Sequence, residues 1–120
     1  MLAYEVMIWR AEDVGKDRPW EWCVARWLTG AMGLRWIQEL TKEGLVRGWK
    51  GNGYPFSFEI QVGTLLERLR DGLPANATPA IFGDDYVLPA GFNGELHLDV
   101  ERLNQCQSEE WLACNAWDQS

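Results

Sequence analysis

Apolar residues fill nearly every position from 2 to 9, interrupted only by Glu5, which predicts a strand covered on both faces and central in its sheet. The polar stretch 11–16, containing Gly15, reads as a loop. Pro19 suits a first helical turn that begins at Asp17 or Arg18. Trp20, Cys23, Val24, Trp27 and Leu28 then recur at i, i+3, i+4, i+7 and i+8, which predicts an amphipathic helix with a wide aromatic face. Thr29 and Gly30 break it. Leu34, Ile37, Gln38, Leu40 and Thr41 continue at helical spacing until Gly44 supplies a stop, completing a helical pair.

Residues 45–50 read as a short strand and Gly51-Asn52-Gly53 as a turn. Across 55–62, Phe56, Phe58, Ile60 and Val62 alternate with Ser57, Glu59 and Gln61, the clearest half-buried strand in the chain, so these segments predict a hairpin. Thr64-Leu65-Leu66-Glu67 has the form of a capping box opening a helix with Leu65, Leu66 and Leu69 as its buried stripe, ended by Gly72 and Pro74. Residues 80–82 and 86–88 flank Gly83-Asp84-Asp85 as a second hairpin, and Asn93-Gly94 marks another turn. Residues 95–100 alternate with Leu96, Leu98 and Val100 inward. Short helices are predicted over 100–106 and 108–116. The sum is an α+β domain with a mostly antiparallel sheet and an N-terminal helical pair, in the order β-α-α-β-β-α-β-β-β-α.

The 120 residues suit one compact domain, 1–120. No apolar run approaches the roughly 18–20 residues that span a bilayer, and the first residues lack a basic stretch followed by an apolar block, so a cytoplasmic protein without membrane association is expected. Three cysteines with no C-x-x-C spacing argue against a disulfide framework and against zinc, and no metal or cofactor is expected.

Charge changes the picture more. Residues 1–60 hold eight basic and eight acidic side chains, whereas residues 61–120 hold three basic and ten acidic ones, so the whole net charge of −7 sits in the second half. Such a surface repels phosphates and attracts cationic proteins, which makes a basic protein the expected partner and nucleic acid an unfavoured one. Tryptophan is the second unusual feature: six of eight fall within residues 9–49. Trp22 and Trp36 lie off the apolar stripes of the predicted helices, and exposed tryptophans serve as interface anchors. Asp84, Asp85, Glu109, Glu110, Trp22 and Trp36 are therefore the expected partner-binding residues, and a homodimer stays open as a further use of the tryptophans.

The single histidine, His97, projects from the alternating strand on the same side as Glu95 and Asp99. An imidazole between two carboxylates is a weak candidate for acid–base catalysis or metal binding; alternating polar residues are equally what a solvent-facing strand presents. No Gly-x-Ser-x-Gly elbow, P-loop or Gly-x-Gly-x-x-Gly run occurs.

Residues 34–60 run helix, Gly44-Leu45-Val46, strand, glycine-rich turn and strand. This quarter of the chain resembles the recognition-helix-and-wing portion of winged-helix transcription regulators. The resemblance implies duplex DNA binding through Arg35, Arg47 and Lys50. The chain departs from that pattern in having one clear helix before the recognition helix where the family has two, and in placing Glu39 and Glu43 beside Arg35 and Lys42. The leading expectation is a small, acidic, non-catalytic protein-binding domain, an antagonist or adaptor of the immunity-protein or phage-inhibitor type. The winged-helix-like regulator is the first alternative, and a small enzyme using Glu95, His97 and Asp99 is the second.

Overall fold

The computed structural model describes residues 3–30, 33–50, 56–70 and 95–118. The predicted turns at 51–53 and 93–94, the helix stop at 72–74 and the hairpin around Asp84 and Asp85 lie outside these residues. Among them the chain forms β1 (Ala3–Arg10), α1 (Pro19–Trp22), β2 (Ala25–Gly30), α2 (Arg35–Lys42), β3 (Val46–Lys50), β4 (Phe56–Gln61), α3 (Val62–Leu69), β5 (His97–Leu98), α4 (Val100–Asn104) and β6 (Trp111–Asp118). A 3-10 turn over Ala11–Asp13 follows β1. The strands make one antiparallel sheet in the order β3-β4-β6-β1-β2-β5.

The α+β class, the central β1, the helix at α2 and the β3–β4 hairpin agree with the pattern in the sequence. Gly44 follows α2 with φ 78°, a left-handed conformation in which a side chain would be strained. The N-terminal helical pair does not form. Only Pro19–Trp22 is helical, and Ala25–Gly30 is a strand paired to β1 from Ile8↔Ala25 to Ala3↔Gly30. The helical spacing of Trp20, Cys23, Val24, Trp27 and Leu28 loses to sheet pairing, which begins where Val24 N–H donates to the Ile8 carbonyl at 2.7 Å. Period two then takes over: Ala25, Trp27 and Thr29 are buried, while Arg26 is half-buried and Leu28 exposed.

Three further expectations are corrected. The segment 108–116 is not a helix; Trp111–Asp118 is the strand that joins β4 to β1. The capping box does not open α3, which starts at Val62 straight out of β4 with no side-chain cap. Its first N–H groups are satisfied from elsewhere, Val62 N–H by the Glu110 carbonyl and Gly63 N–H by the Ser108 carbonyl, both at 2.9 Å. Leu66 is accordingly exposed, although Leu65 and Leu69 are buried. Finally, the expected strand over 95–100 shrinks to His97–Leu98, because Asp99 caps α4 by accepting from Arg102 N–H at 3.0 Å. Leu98 and Val100 are exposed rather than inward.

One face of the sheet is covered. Val6 and Ile8 of β1, Trp27 of β2, Phe58 and Ile60 of β4, and Leu112, Cys114 and Ala116 of β6 share a single core with Ile37 and Leu40 of α2, Leu65 and Leu69 of α3, and Leu103 of α4. Trp27 stacks on Trp36 with ring centroids 6.3 Å apart. Among the described residues no helix is long and apolar enough to cross a membrane.

Candidate functional site

The opposite face carries the intervening residues of the same strands. Strand register lines them up in rows. His97, Arg26, Met7, Asn115 and Ser57 lie side by side across β5, β2, β1, β6 and β4. The next row holds Leu28, Glu5 and Trp117. Another begins with Trp9 and Ala113 and continues to Glu59 and Arg47.

Along the row that runs from Trp9 to Arg47, at one end of the strands, this face is closed by local contacts. At one end of that row Trp9 is buried and its indole N–H donates to the Pro19 carbonyl at 2.8 Å, so the segment around α1 covers it. At the other, the Arg47 guanidinium lies 3.8 Å from the Trp111 ring centroid and its Nε is 3.3 Å from Glu59 Oε1. Toward the other end of the strands, no helix among the described residues lies over the sheet. Leu28 is 42% and Trp117 41% exposed there. Glu5 stands between them, and it has no ion-pair partner among the described residues.

Glu5 is common to two cavities in this strip. One, of about 460 Å³, is lined by Glu5, Met7, Trp9, Lys16, Asn115 and Trp117 among others. The second, of about 320 Å³, is lined by Glu5, Arg26, Trp27, Leu28, Glu95 and His97. A smaller one, of about 230 Å³, lies around the sheet edge and brings His97 together with Asp99, Arg26, Cys23 and Trp20.

The Glu95, His97 and Asp99 row is only partly assembled. Glu95 and His97 line one cavity and are exposed, but the Asp99 carboxylate is held by Arg102, whose Nε lies 2.9 Å from Asp99 Oδ2. Among the described residues no group of three or more His, Cys, Asp or Glu side chains is arranged to hold a metal ion.

The structure gives the other sequence-selected residues distinct settings. Trp22 is half-buried and meets two cations, Lys16 Nζ at 3.9 Å and the Arg102 guanidinium at 4.8 Å from its ring centroid. Both cations also face the buried Asp13, Lys16 Nζ at 2.7 Å and Arg102 Nη1 at 3.8 Å. Trp36 is half-buried against Trp27. Glu109 is exposed. Glu110 is bound in bidentate fashion by Arg10, with Nε at 3.0 Å and Nη2 at 3.1 Å. The Arg10 hydrogen bond holds the Glu110 carboxyl below its ordinary value of 4.5, against the opposing effect of partial burial. Burial, and then the charge of Glu110, pushes the neighbouring Cys106 thiol up, so its thiolate is disfavoured. Cys23 and Cys114 are buried free thiols, likewise pushed up by burial.

Glu5, Arg26, Leu28, Asn115 and Trp117 were not singled out from the sequence. The signal that could have found them is the break at Glu5 in an otherwise apolar strand, since an acidic residue inside a central strand must sit on a face that water or a partner reaches. The chain matches no family model, no curated protein and no solved structure.

Proposed function

We propose that this chain is a small, acidic, non-catalytic protein-binding domain, an antagonist or adaptor that docks on a basic partner surface through the uncovered face of its sheet. The observation that carries the reading is that face itself. Helices bury one side of the sheet, while the other leaves Leu28 and Trp117 exposed on either side of Glu5, which has no ion-pair partner among the described residues. Apolar anchors around a charge, ringed by polar residues, form the kind of surface that proteins use for association. The net charge of −7 would steer a cationic partner toward it.

The test is capture from source-cell lysate at low and high salt, with the wild type compared with a Leu28→Ser/Trp117→Ser variant shown to be folded. One basic protein, recovered near stoichiometry by the wild type, released by salt and lost with the variant, is the expected result. Recovery of duplex DNA in place of protein would transfer the reading to the winged-helix-like alternative. A partner retained equally by the variant would refute docking through this face.

A further inference from the structure

We infer that the cavity between Glu5 and Trp117 is an arginine-accepting pocket, the site at which a basic partner inserts a guanidinium side chain. The inference rests on the docking reading above and names the chemistry of the contact. Glu5 and Trp117 are directly opposed across β1 and β6, so a carboxylate and a half-exposed indole share one cavity wall. A planar guanidinium satisfies both at once, stacking on the indole face while its edge donates to the carboxylate. A lysine ammonium is a compact point charge and cannot stack in the same way.

The charge balance of the lining points to a cation. Among the described residues, the charged ones around this cavity are Glu5 and Lys16. Lys16 is already neutralised by the buried Asp13 at 2.7 Å and turned toward the Trp22 ring. Glu5 has no ion-pair partner among the described residues, and Arg26, the cation nearest it in the sheet, lines the neighbouring cavity and not this one. Asn115 adds a fixed polar group, because its Oδ1 accepts from Ser57 Oγ at 3.0 Å. Met7 and Trp9 form an apolar floor suited to the methylene stem of the incoming side chain. The volume of about 460 Å³ exceeds what one side chain fills and accommodates the residues flanking the arginine as well.

The test uses ¹⁵N-labelled protein and three small probes: Nα-acetyl-arginine amide, its lysine counterpart and the neutral, isosteric citrulline amide. The Trp117 indole N–H is the reporter. The expected result is a saturable shift with the arginine amide, a weaker response to lysine and none that saturates with citrulline. Glu5→Gln should weaken the arginine response about tenfold, and Trp117→Leu, read at the side-chain amide of Asn115 in the same cavity, should do the same while leaving signals of the covered face unchanged. An equal response to citrulline and arginine, or no saturable response to arginine, overturns the inference. Trp117 shifts that follow protein concentration without any probe would show a second copy as the occupant, and would overturn it too. Failure of the docking reading is distinguishable. An arginine amide that binds at Trp117 while no basic protein is captured leaves the pocket standing without that function. A basic protein captured equally by wild type and Glu5→Gln, with no arginine response, removes the pocket alone.

Discussion

The two faces of the sheet are written by the same strands, one residue out of phase, yet they are built for different work. On the covered side Val6, Ile8, Leu112, Cys114 and Ala116 are each at most 1% exposed, and every one meets other apolar side chains. On the bare side Glu5, Met7, Arg26, Leu28, Asn115 and Trp117 remain wholly or partly open to solvent. Burial is where most folding free energy arises, so the covered side should dominate stability while the bare side is free to serve contact. A strand in such a sheet therefore carries two separable sets of constraints at odd and even positions.

Substitutions on opposite faces of one strand test that separation most severely. Leu112→Ala should cost about 3 kcal/mol in urea unfolding, the transfer and cavity terms of a fully enclosed leucine. Trp117→Ala, on the same strand but the other face, should cost less than about 1 kcal/mol. Equal losses would break the comparison. Next in size is Gly33→Ala. A Cβ on Gly33 would overlap the Thr29 side chain, which is fully buried on the covered side, so the change should cost about 2 kcal/mol. Replacing Thr29 by Ala in the same chain should recover part of that loss as a non-additive coupling.

The Arg10–Glu110 pair contributes less, and it contributes with a pH signature. The Glu110 carboxyl is held down in the folded chain, so its contribution is complete above the ordinary value of 4.5 and is lost as pH falls through the lower folded value. Glu110→Gln should cost about 1 kcal/mol at neutral pH and flatten the acid limb of the stability curve below that value. The smallest expected effect is that of Glu5→Gln, within about 0.5 kcal/mol of wild type in stability. A larger loss would mean that Glu5 holds the fold together and that the bare face is less separate than its exposure suggests.

The same contrast explains what the sequence made legible. β4 was readable because its bare-side residues, Ser57, Glu59 and Gln61, are polar and its covered-side residues, Phe56, Phe58 and Ile60, are not. β2 and β6 were misread as helix because both faces carry apolar groups. In β6, Leu112, Cys114 and Ala116 face the core while Trp111, Ala113 and Trp117 face the other way, and alternation disappears. In β2, Leu28 on the bare side sits beside Ala25 and Trp27 on the core side, and that mixture happens to satisfy helical spacing as well. The apolar character that makes the bare face a candidate for contact is thus what hid its strands. The site was hidden for a further reason. Glu5, Arg26 and Trp117 come together only through the pairing of β2, β1 and β6, and register between distant segments is not a local property of the chain.

The position of β6 has a consequence for how the molecule is made. Among the described residues, the β3–β4 hairpin and the β1–β2 pair are joined in the sheet only through residues 111–118, which pair with Phe56–Gln61 on one side and with Tyr4–Arg10 on the other. At roughly 5–20 residues per second, a ribosome holds those two half-sheets apart for several seconds after Gln61 has been added. During that interval β1 and β4 each lack the neighbour that β6 supplies, and a nascent chain must keep both edges from finding other partners before β6 arrives to close the seam.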